Sequence, residues 1–259
     1  MARSRARAFR PHFSRGVWSS SSLFRTELPS SRGINLLRAS DGTLIYLRSC
    51  GVNPASDSTG RVVLDFEVAT ASTLSWLNTG KFVATRSLDA TAGSLVLSVY
   101  DVSKVSPAEP KIHLTDPAGT PNQPWDCSTN TGSKGASVFS EAVLIGSSLA
   151  IGASKHGTRN VIPITGGSTS GRVTGSILSG GADYQLIGSG STKLDARYTL
   201  STNDGELILV RNCGAFGALV PWFETRAAGP YAFLNQNTYL SSDPGSATGG
   251  VSITFYDRK

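Results

Sequence analysis

The sequence predicts an all-β protein built from two related halves, each an antiparallel β-barrel or part of one. First, short apolar or alternating runs bounded by Gly, Asn, Asp and Ser follow one another along most of the 259 residues. Second, no window keeps a helical period over three turns. Third, the segment "DGTLIYLRSCG" from Asp41 recurs as "DGELILVRNCG" from Asp204, with seven of eleven positions identical. Short, evenly spaced strands with 28 glycines favour a closed barrel or a sandwich, because closure removes exposed strand edges.

The first 26 residues form a basic leader with six arginines and no acidic residue. Such a composition is typical of a transit peptide or a disordered segment, and a wrongly assigned start of the gene product is the further alternative. We expect a cytoplasmic protein, or a mitochondrial one if the leader is a transit peptide. Removing its six arginines from the 24 basic residues leaves 18, which balance the 18 acidic residues. A nucleic-acid groove is therefore not expected, and no apolar run is long enough to cross a bilayer.

The repeat divides the rest of the chain into a first barrel repeat at 27–102, a proline-rich linker at 103–137 and a second repeat at 138–259. In the second repeat the clearest element is a hairpin of strands 193–200 and 206–213 around an Asn-Asp-Gly turn. A similar pair is predicted around Gly180-Gly181, followed by a last strand in "GGVSITFYD". The first repeat lacks strands equivalent to "GRVTGSILSGGADYQ". It is either a degenerate copy that completes the second core, or a copy whose beginning is lost from the gene model.

Three cysteines are too few and odd in number for a disulfide framework. Cys50 and Cys213 hold equivalent positions in the repeat. We therefore expect each to fill a buried pocket of its own half as a small hydrophobic residue.

The second half resembles the family called domain of unknown function 3237. The resemblance rests on "IPITGGSTSGRVTGSILSGGADYQL" from Ile162, "LDARYTLSTNDGELILVRNCG" from Leu194 and "FETRAAGPYAFLN" from Phe223, and it covers about the last 120 residues. It implies a small antiparallel barrel comparable to the lipocalin-like or allene-oxide-cyclase-like barrels, in a family mostly without an established activity. The first half has Arg32-Gly33-Ile34 where the second has Asp195-Ala196-Arg197, so a site is expected in the second half alone.

Three polar residues are the catalytic candidates. Asp195 and Arg197 share one face of a strand, where they pair with each other or jointly hold a polar ligand group. That face points either into the barrel or to solvent. Asp183, after two glycines, either caps a turn or places a carboxylate at the barrel mouth.

A second group of residues are substrate-binding candidates. Arg211, whose twin is Arg48, has either a structural partner such as Glu224 or an anionic ligand. Asn235 and its twin Asn78 are expected to satisfy backbone groups at a strand start. Aromatic residues can line an apolar pocket or fill the core. The binding candidates are Tyr184, Tyr198, Arg211, Trp222, Phe223, Glu224, Tyr231, Phe233 and Asn235.

These features favour a cofactor-independent cyclase or isomerase, including Diels–Alder-type cyclisation, acting on an apolar molecule like those of secondary metabolism. Asp195 would be the general acid or base, Arg197 would stabilise an oxyanion, and Tyr184 or Tyr198 would donate a proton. An enzyme requires Asp195 in the lumen with a raised pKa. The alternatives are a carrier without chemistry, or a structural pseudo-dimer in which the first half replaces a homodimer partner.

No cofactor is expected, and the three histidines are too far apart in sequence to suggest a metal site. The expected partners are an apolar small molecule and, at most, a second copy of the chain.

Overall fold

The computed structural model describes residues 19–21, 30–52, 59–89, 94–104 and 127–259. These residues form antiparallel strands and two short 3-10 helices, Ser75–Asn78 and Ala232–Gln236, which confirms the all-β prediction. The chain divides into two compact units. Unit 1 comprises Met1–Gln123 with Ala153–Lys155, and unit 2 comprises Pro124–Gly152 with His156–Lys259. Within the described part of the chain, no helix is long and apolar enough to span a bilayer.

Unit 1 is a six-stranded sheet in which each strand pairs with the next along the chain. Its inner face carries buried side chains such as Leu47, Phe66 and Phe82. The first strand lies within the predicted leader, whose other residues are outside the described part. The strands are β1 (Ser19–Ser21), β2 (Ser30–Arg38), β3 (Leu44–Val52), β4 (Thr59–Glu67), β5 (Phe82–Asp89) and β6 (Ser94–Asp101).

Unit 2 is an antiparallel barrel. Its strands are β7 (Lys134–Ile145), β8 (Leu149–Ser154), β9 (Gly157–Gly171), β10 (Gly175–Ile177), β11 (Gly181–Gly188), β12 (Ser191–Thr202), β13 (Leu207–Ala215), β14 (Val220–Thr225), β15 (Tyr239–Ser241), β16 (Gly245–Ala247) and β17 (Gly250–Arg258). The order β14-β13-β12-β10-β9-β7-β17-β15 runs around the barrel. Its two ends meet where Ser241 N donates to Leu219 O at 3.3 Å. Strand β7 includes the last four residues of the predicted linker, 134–137.

The predicted hairpin of β12 and β13 is present, and its twin in unit 1 is formed by β2 and β3. The pair predicted around Gly180-Gly181 is wrong as a hairpin. Strands β10 and β11 do not pair with each other. Each pairs with β9 on one side and with β12 on the other, as two successive segments of one interrupted strand. Gly180, between them, has a φ of +113°, which interrupts the strand without reversing the direction of the chain.

The prediction that Cys213 is an unbonded hydrophobic residue is also wrong. Cys213 forms a disulfide with Cys127, with their Cα atoms 5.3 Å apart and a separation of 86 positions in sequence. The equivalent Cys50 takes part in no disulfide. The odd count of three cysteines concealed this bonded pair. In addition, Cys50 and Cys213 hold equivalent positions in the repeat, which suggested a common role for these two, although only Cys213 is bonded.

The two asparagines satisfy backbone groups as predicted, but at strand ends rather than starts. Asn235 Oδ1 accepts from Thr225 N at 2.9 Å, and Asn235 Nδ2 donates to Thr225 O at 3.0 Å. Asn78 makes the same two bonds to Val68, at 2.9 and 3.1 Å. In each repeat the side chain therefore ties a 3-10 helix to the end of the preceding strand.

Replacing Asn235 with alanine is expected to destabilise unit 2 by about 2 kcal/mol, because both polar groups of Thr225 lose a partly buried partner. Amide hydrogen exchange should then accelerate at Thr225 and remain unchanged at Val68. Asn78→Ala is the matched control, with the opposite pattern. Unchanged protection of Thr225 in the Asn235 variant would show that the two hydrogen bonds of Asn235 contribute nothing to the stability of unit 2.

Candidate active site

The interior of unit 2 is identified by its buried core. Phe139, Phe223 and Phe255 are almost fully buried, with ring centroids 4.7 to 5.6 Å apart. Tyr198 and Leu200 of β12 belong to the same cluster. Since side chains alternate along a strand, the even-numbered residues of β12 face inward and the odd-numbered ones face outward.

Asp195 and Arg197 consequently lie on the outer face. With Arg211 they form what we call the outer ion cluster. Arg197 Nε and Arg211 Nε donate to Asp195 Oδ1 at 3.0 and 2.9 Å, and both Nη2 atoms donate to Oδ2 at 3.1 and 3.0 Å. Asp195 is therefore a structural partner of Arg211.

The charge state of Asp195 does not suit a general acid or base acting near neutral pH. Burial favours the neutral carboxyl, but the charges of Arg197 and Arg211 outweigh it and lower the pKa of Asp195 below its usual value. The lumen orientation and raised pKa required of Asp195 in an enzyme are thus not met. Neither an acid–base role for Asp195 nor an oxyanion role for Arg197 fits this outward-facing ion pair.

The other sequence candidates fall on both faces. Phe223 pairs with Val210 inside the core, whereas its strand neighbours Trp222 and Glu224 face outward. Tyr231 and Phe233 pack against the core cluster from the 3-10 helix region. Tyr184 is buried on the outward face of β11, on the side opposite to Asp183.

Glu141 and Tyr198 form a buried polar pair inside the barrel. Glu141 lies on β7 in phase with the core residues Phe139 and Val143, and only 2% of it is exposed. Tyr198 OH donates to Glu141 Oε2 at 2.6 Å. Burial raises the pKa of Glu141 to about 8, despite the opposing effect of this hydrogen bond. Glu141 is therefore mostly protonated at neutral pH.

Asp183 also faces inward, because it pairs with Ala196, which packs against the core. Of the two alternatives for Asp183, the structure therefore agrees with a carboxylate at the barrel and not with a turn cap. Asp183 Oδ1 accepts from Asp195 N at 3.1 Å, and Oδ2 accepts from Gln185 Nε2 at 2.8 Å. Burial raises the pKa of Asp183 to about 6, more than these two bonds lower it.

A chain of hydrogen bonds leads from Asp183 to the surface. Gln185 Oε1 accepts from Asn160 Nδ2 at 2.9 Å, and Asn160 Oδ1 accepts from the exposed Ser148 at 2.6 Å. Asn160 pairs with Gln185 across β9 and β11, so both side chains share the face of Asp183. Asp183 thus lies between the buried Tyr198 and a polar, partly exposed row.

Glycine allows β11 to approach β12 closely beside this site. A Cβ atom on Gly181 would lie 2.5 Å from Arg197 O and 2.6 Å from Tyr198 Cβ. Only glycine fits at that distance. The close approach places Asp183 and Tyr198 on adjoining strands, and the charge of Asp183 adds to burial and to Glu141 in raising the pKa of Tyr198.

Two carboxyl groups of the interior thus favour different protonation states. Near pH 7, the pKa of about 6 leaves Asp183 mostly ionised, while the pKa of about 8 leaves Glu141 mostly neutral. Such a divergence is the usual mark of an acid and base pair in an active site. Tyr198 contacts Glu141 directly and feels the charge of Asp183.

The interior also contains buried polar atoms without a hydrogen-bond partner in the described part of the chain: Glu141 Oε1, Thr169 Oγ1 and Asn212 Oδ1. Thr169 pairs directly with Glu141 across β7 and β9. Asn212 pairs with Ala196, so it shares the inner face with Asp183. Tyr198 donates to Oε2, so Oε1 is the carboxyl oxygen of Glu141 that lacks a partner among the described residues. Buried atoms of this kind are costly unless a ligand or water satisfies them.

Replacing Glu141 with glutamine should change how stability depends on pH. The folded-state pKa of about 8 exceeds the usual 4.5, so the wild-type contribution is full below 4.5 and is lost as pH rises through 8. We expect the loss across this window to be on the order of 5 kcal/mol, and to be largely absent from Glu141→Gln. Urea unfolding on both sides of the window measures it.

The exposed Asp204→Asn is the control, and it should keep the wild-type slope. Identical slopes for wild type and Glu141→Gln would mean that Glu141 titrates normally.

Sequence reasoning missed Glu141, Gln185, Asn160, Thr169 and Asn212. A signal for Glu141 was present. In "FSEAVLI" the acidic residue alternates in phase with Phe139, Val143 and Ile145, so an ionisable group lies on an apolar strand face. The other four are ordinary polar residues whose grouping requires the strand register.

Comparison with known proteins identifies relatives of unit 2. Residues 134–218 match the family model described as "Protein of unknown function (DUF3237)". A UPF0311 protein of Bradyrhizobium diazoefficiens is 40% identical over 78 residues, which are 30% of this chain and 51% of that protein. The chain therefore matches about half the length of this curated relative.

Solved structures are similar to about half of this chain. A conserved protein of unknown function from Rhodopseudomonas palustris is 28% identical, covering 50% of this chain and 99% of that one, with a TM-score of 0.43. A "beta-barrel like protein" from Acinetobacter baumannii is 28% identical, covering 48% and 94%, with a TM-score of 0.42. The family model and the curated relative bear out the resemblance seen in the sequence, and residues 134–218 of this chain are similar to the DUF3237/UPF0311-like proteins of unknown function.

Proposed function

We propose that unit 2 is a cofactor-independent acid–base enzyme of the cyclase or isomerase class, acting on a neutral and largely apolar small molecule. One observation carries the proposal. The barrel interior holds two carboxyl groups of opposite protonation at neutral pH, Asp183 and Glu141, with Tyr198 beside both. A purely structural core has little reason to place a buried Glu141 and a half-buried Asp183 on its inner face.

In this proposal Asp183 is the general base. Its ionised oxygens accept only the bonds from Asp195 N and Gln185 Nε2 among the described contacts, which leaves lone pairs for a substrate proton. Glu141 is the general acid through Oε1, the carboxyl oxygen that Tyr198 does not contact. Asp183 thus removes a proton from a substrate hydroxyl or activated carbon while Glu141 or Tyr198 protonates a developing anion. Solvent exchange afterwards restores both carboxyl groups.

The substrate class follows from the interior surface. Partly buried apolar residues that pack against the core, among them Ala196, Tyr231 and Phe233, provide apolar contacts, so a charged substrate would lose hydration without compensation. The acidic groups disfavour anions in particular. A molecule with an apolar body and one or two neutral polar groups matches this interior, and confinement would then hold the reacting atoms together.

The test is to incubate the protein with a panel of neutral unsaturated hydroxy- and keto-compounds in H₂O and in D₂O. We expect conversion to an isomer of equal mass in H₂O, with solvent deuterium entering a carbon-bound position where the product gains one. Boiled protein and the Glu141→Gln variant serve as controls. Compounds that bind yet return unchanged and unlabelled would overturn the enzyme proposal.

A carrier is the second candidate, and the unpartnered Thr169 Oγ1 and Asn212 Oδ1 favour it, because they could hold the polar groups of a ligand without chemistry. The same panel separates the two. A carrier would bind wild type and Asp183→Asn equally, and would release the compound unaltered.

A further inference from the structure

The disulfide of unit 2 lies against the outer ion cluster on the outer face of β12 and β13. Cys213 pairs with Asp195 across these strands, and Arg211 Nη2 donates to Cys213 Sγ at 3.3 Å. Arg211 is the guanidinium of the cluster that contacts this sulfur, whereas Arg197 contacts Asp195. A positive group in contact with a sulfur stabilises the thiolate form of that sulfur.

The two sulfurs differ in their surroundings. Cys213 is almost fully buried, with 2% of its surface exposed, whereas Cys127 is only half-buried and is flanked by the exposed Ser128 and Thr129. Thiol–disulfide exchange requires access to the attacked sulfur and a stable thiolate as the leaving group. Cys127, the less buried residue of the two, provides the sulfur to be attacked, and Cys213 beside Arg211 provides the stabilised leaving group.

We propose that the Cys127–Cys213 disulfide is a directional thiol-exchange site, in which a small thiol couples to Cys127 and Arg211 stabilises the departing Cys213 thiolate. The attacking thiolate forms a bond to Cys127 Sγ, the disulfide bond breaks, and its electron pair leaves on Cys213. A second thiolate then attacks the thiol-derived sulfur of the mixed disulfide. The products are one oxidised small-molecule disulfide and two protein thiolates, which take up protons as their pKa values dictate.

This site is separate from the proposed acid–base site, because the two lie on opposite faces of β12. Exchange breaks the covalent link between residue 127 and β13. Residue 127 leads into β7. A small thiol could therefore modify the outside of the barrel without entering its interior.

The test treats the full-length oxidised protein with reduced glutathione, followed by alkylation and peptide mass spectrometry. We expect the glutathione adduct on Cys127 and the alkyl group on Cys213. Adduct on Cys213, or equal amounts on both, would overturn the proposal. This readout uses the wild-type protein and needs no variant to fold.

Kinetics test the role of Arg211. Arg211→Gln should slow adduct formation by about 3- to 10-fold, because the leaving thiolate loses its cation. Arg211→Lys keeps a charge and should recover most of the rate. Arg197→Gln is the matched control, since Arg197 pairs with Asp195 and not with the sulfur, and its rate should stay within about twofold of wild type. Equal slowing in the Arg211→Gln and Arg197→Gln variants would refute a direct role for Arg211.

Discussion

The Asp183→Asn variant should lose about 10²- to 10⁴-fold in kcat on any substrate that unit 2 converts, with a much smaller change in KM. Asparagine has nearly the same shape as aspartate. Its Oδ1 can still accept from Asp195 N, and Gln185 can turn its amide to face the new Nδ2. The fold should therefore survive, and the lost property is the ability to take a proton.

Two further variants compare the interior of the barrel with its surface. Asp204→Asn, at the exposed tip of the β12–β13 hairpin, should keep wild-type kcat. Tyr198→Phe removes the hydroxyl that contacts Glu141 and should reduce kcat without restoring a normal pH profile. If Asp183→Asn retained full activity, the acid–base pair would not be the catalytic machinery, even if conversion itself were real.

The Cys127→Ser variant should be destabilised by about 4 kcal/mol relative to the oxidised wild type. The disulfide closes a loop between residues 86 apart in sequence, and opening a loop of that length returns much conformational freedom to the unfolded chain. For a chain of this size we expect the midpoint of thermal unfolding of unit 2 to fall by roughly 10 °C. Reduction of the wild type should have a similar effect.

Cys50→Ser is the matched control, because Cys50 holds the equivalent repeat position and takes part in no disulfide. It should leave the transition of unit 2 unchanged. Equal shifts for the two variants, or none for Cys127→Ser, would show that the disulfide does not stabilise the barrel.

Periodicity and the repeat were sufficient to predict the fold class and the β12–β13 hairpin, because alternating strands and an Asn-Asp-Gly turn are local signals. The hydrogen bonds of Asn78 and Asn235 to the backbone were predictable because the two residues hold equivalent positions in the repeat. The β10–β11 arrangement was not, since a glycine pair can reverse a strand or merely interrupt it. Only the neighbouring strands decide between these outcomes.

For the candidate site, too, local contacts were predictable from the sequence and long-range ones were not. The Asp195–Arg197 contact was predictable from strand spacing, but the face on which it lies depends on where the core is. Asp183 was recognised as a candidate, although its interior position depends on its register against Ala196. Glu141 was overlooked because it lies near the predicted linker and its partner Tyr198 is 57 residues away along the chain. Long-range pairing is not a property of any short sequence segment.

The most direct test of the central claim is a carbon-detected NMR titration of the carboxyl groups of Asp183, Glu141 and Asp195 in the oxidised full-length protein. The acid–base proposal predicts pKa values of about 6 for Asp183 and about 8 for Glu141, and a pKa below the usual range for Asp195. Asp183 and Glu141 both titrating near 4, as exposed carboxyl groups do, would contradict it.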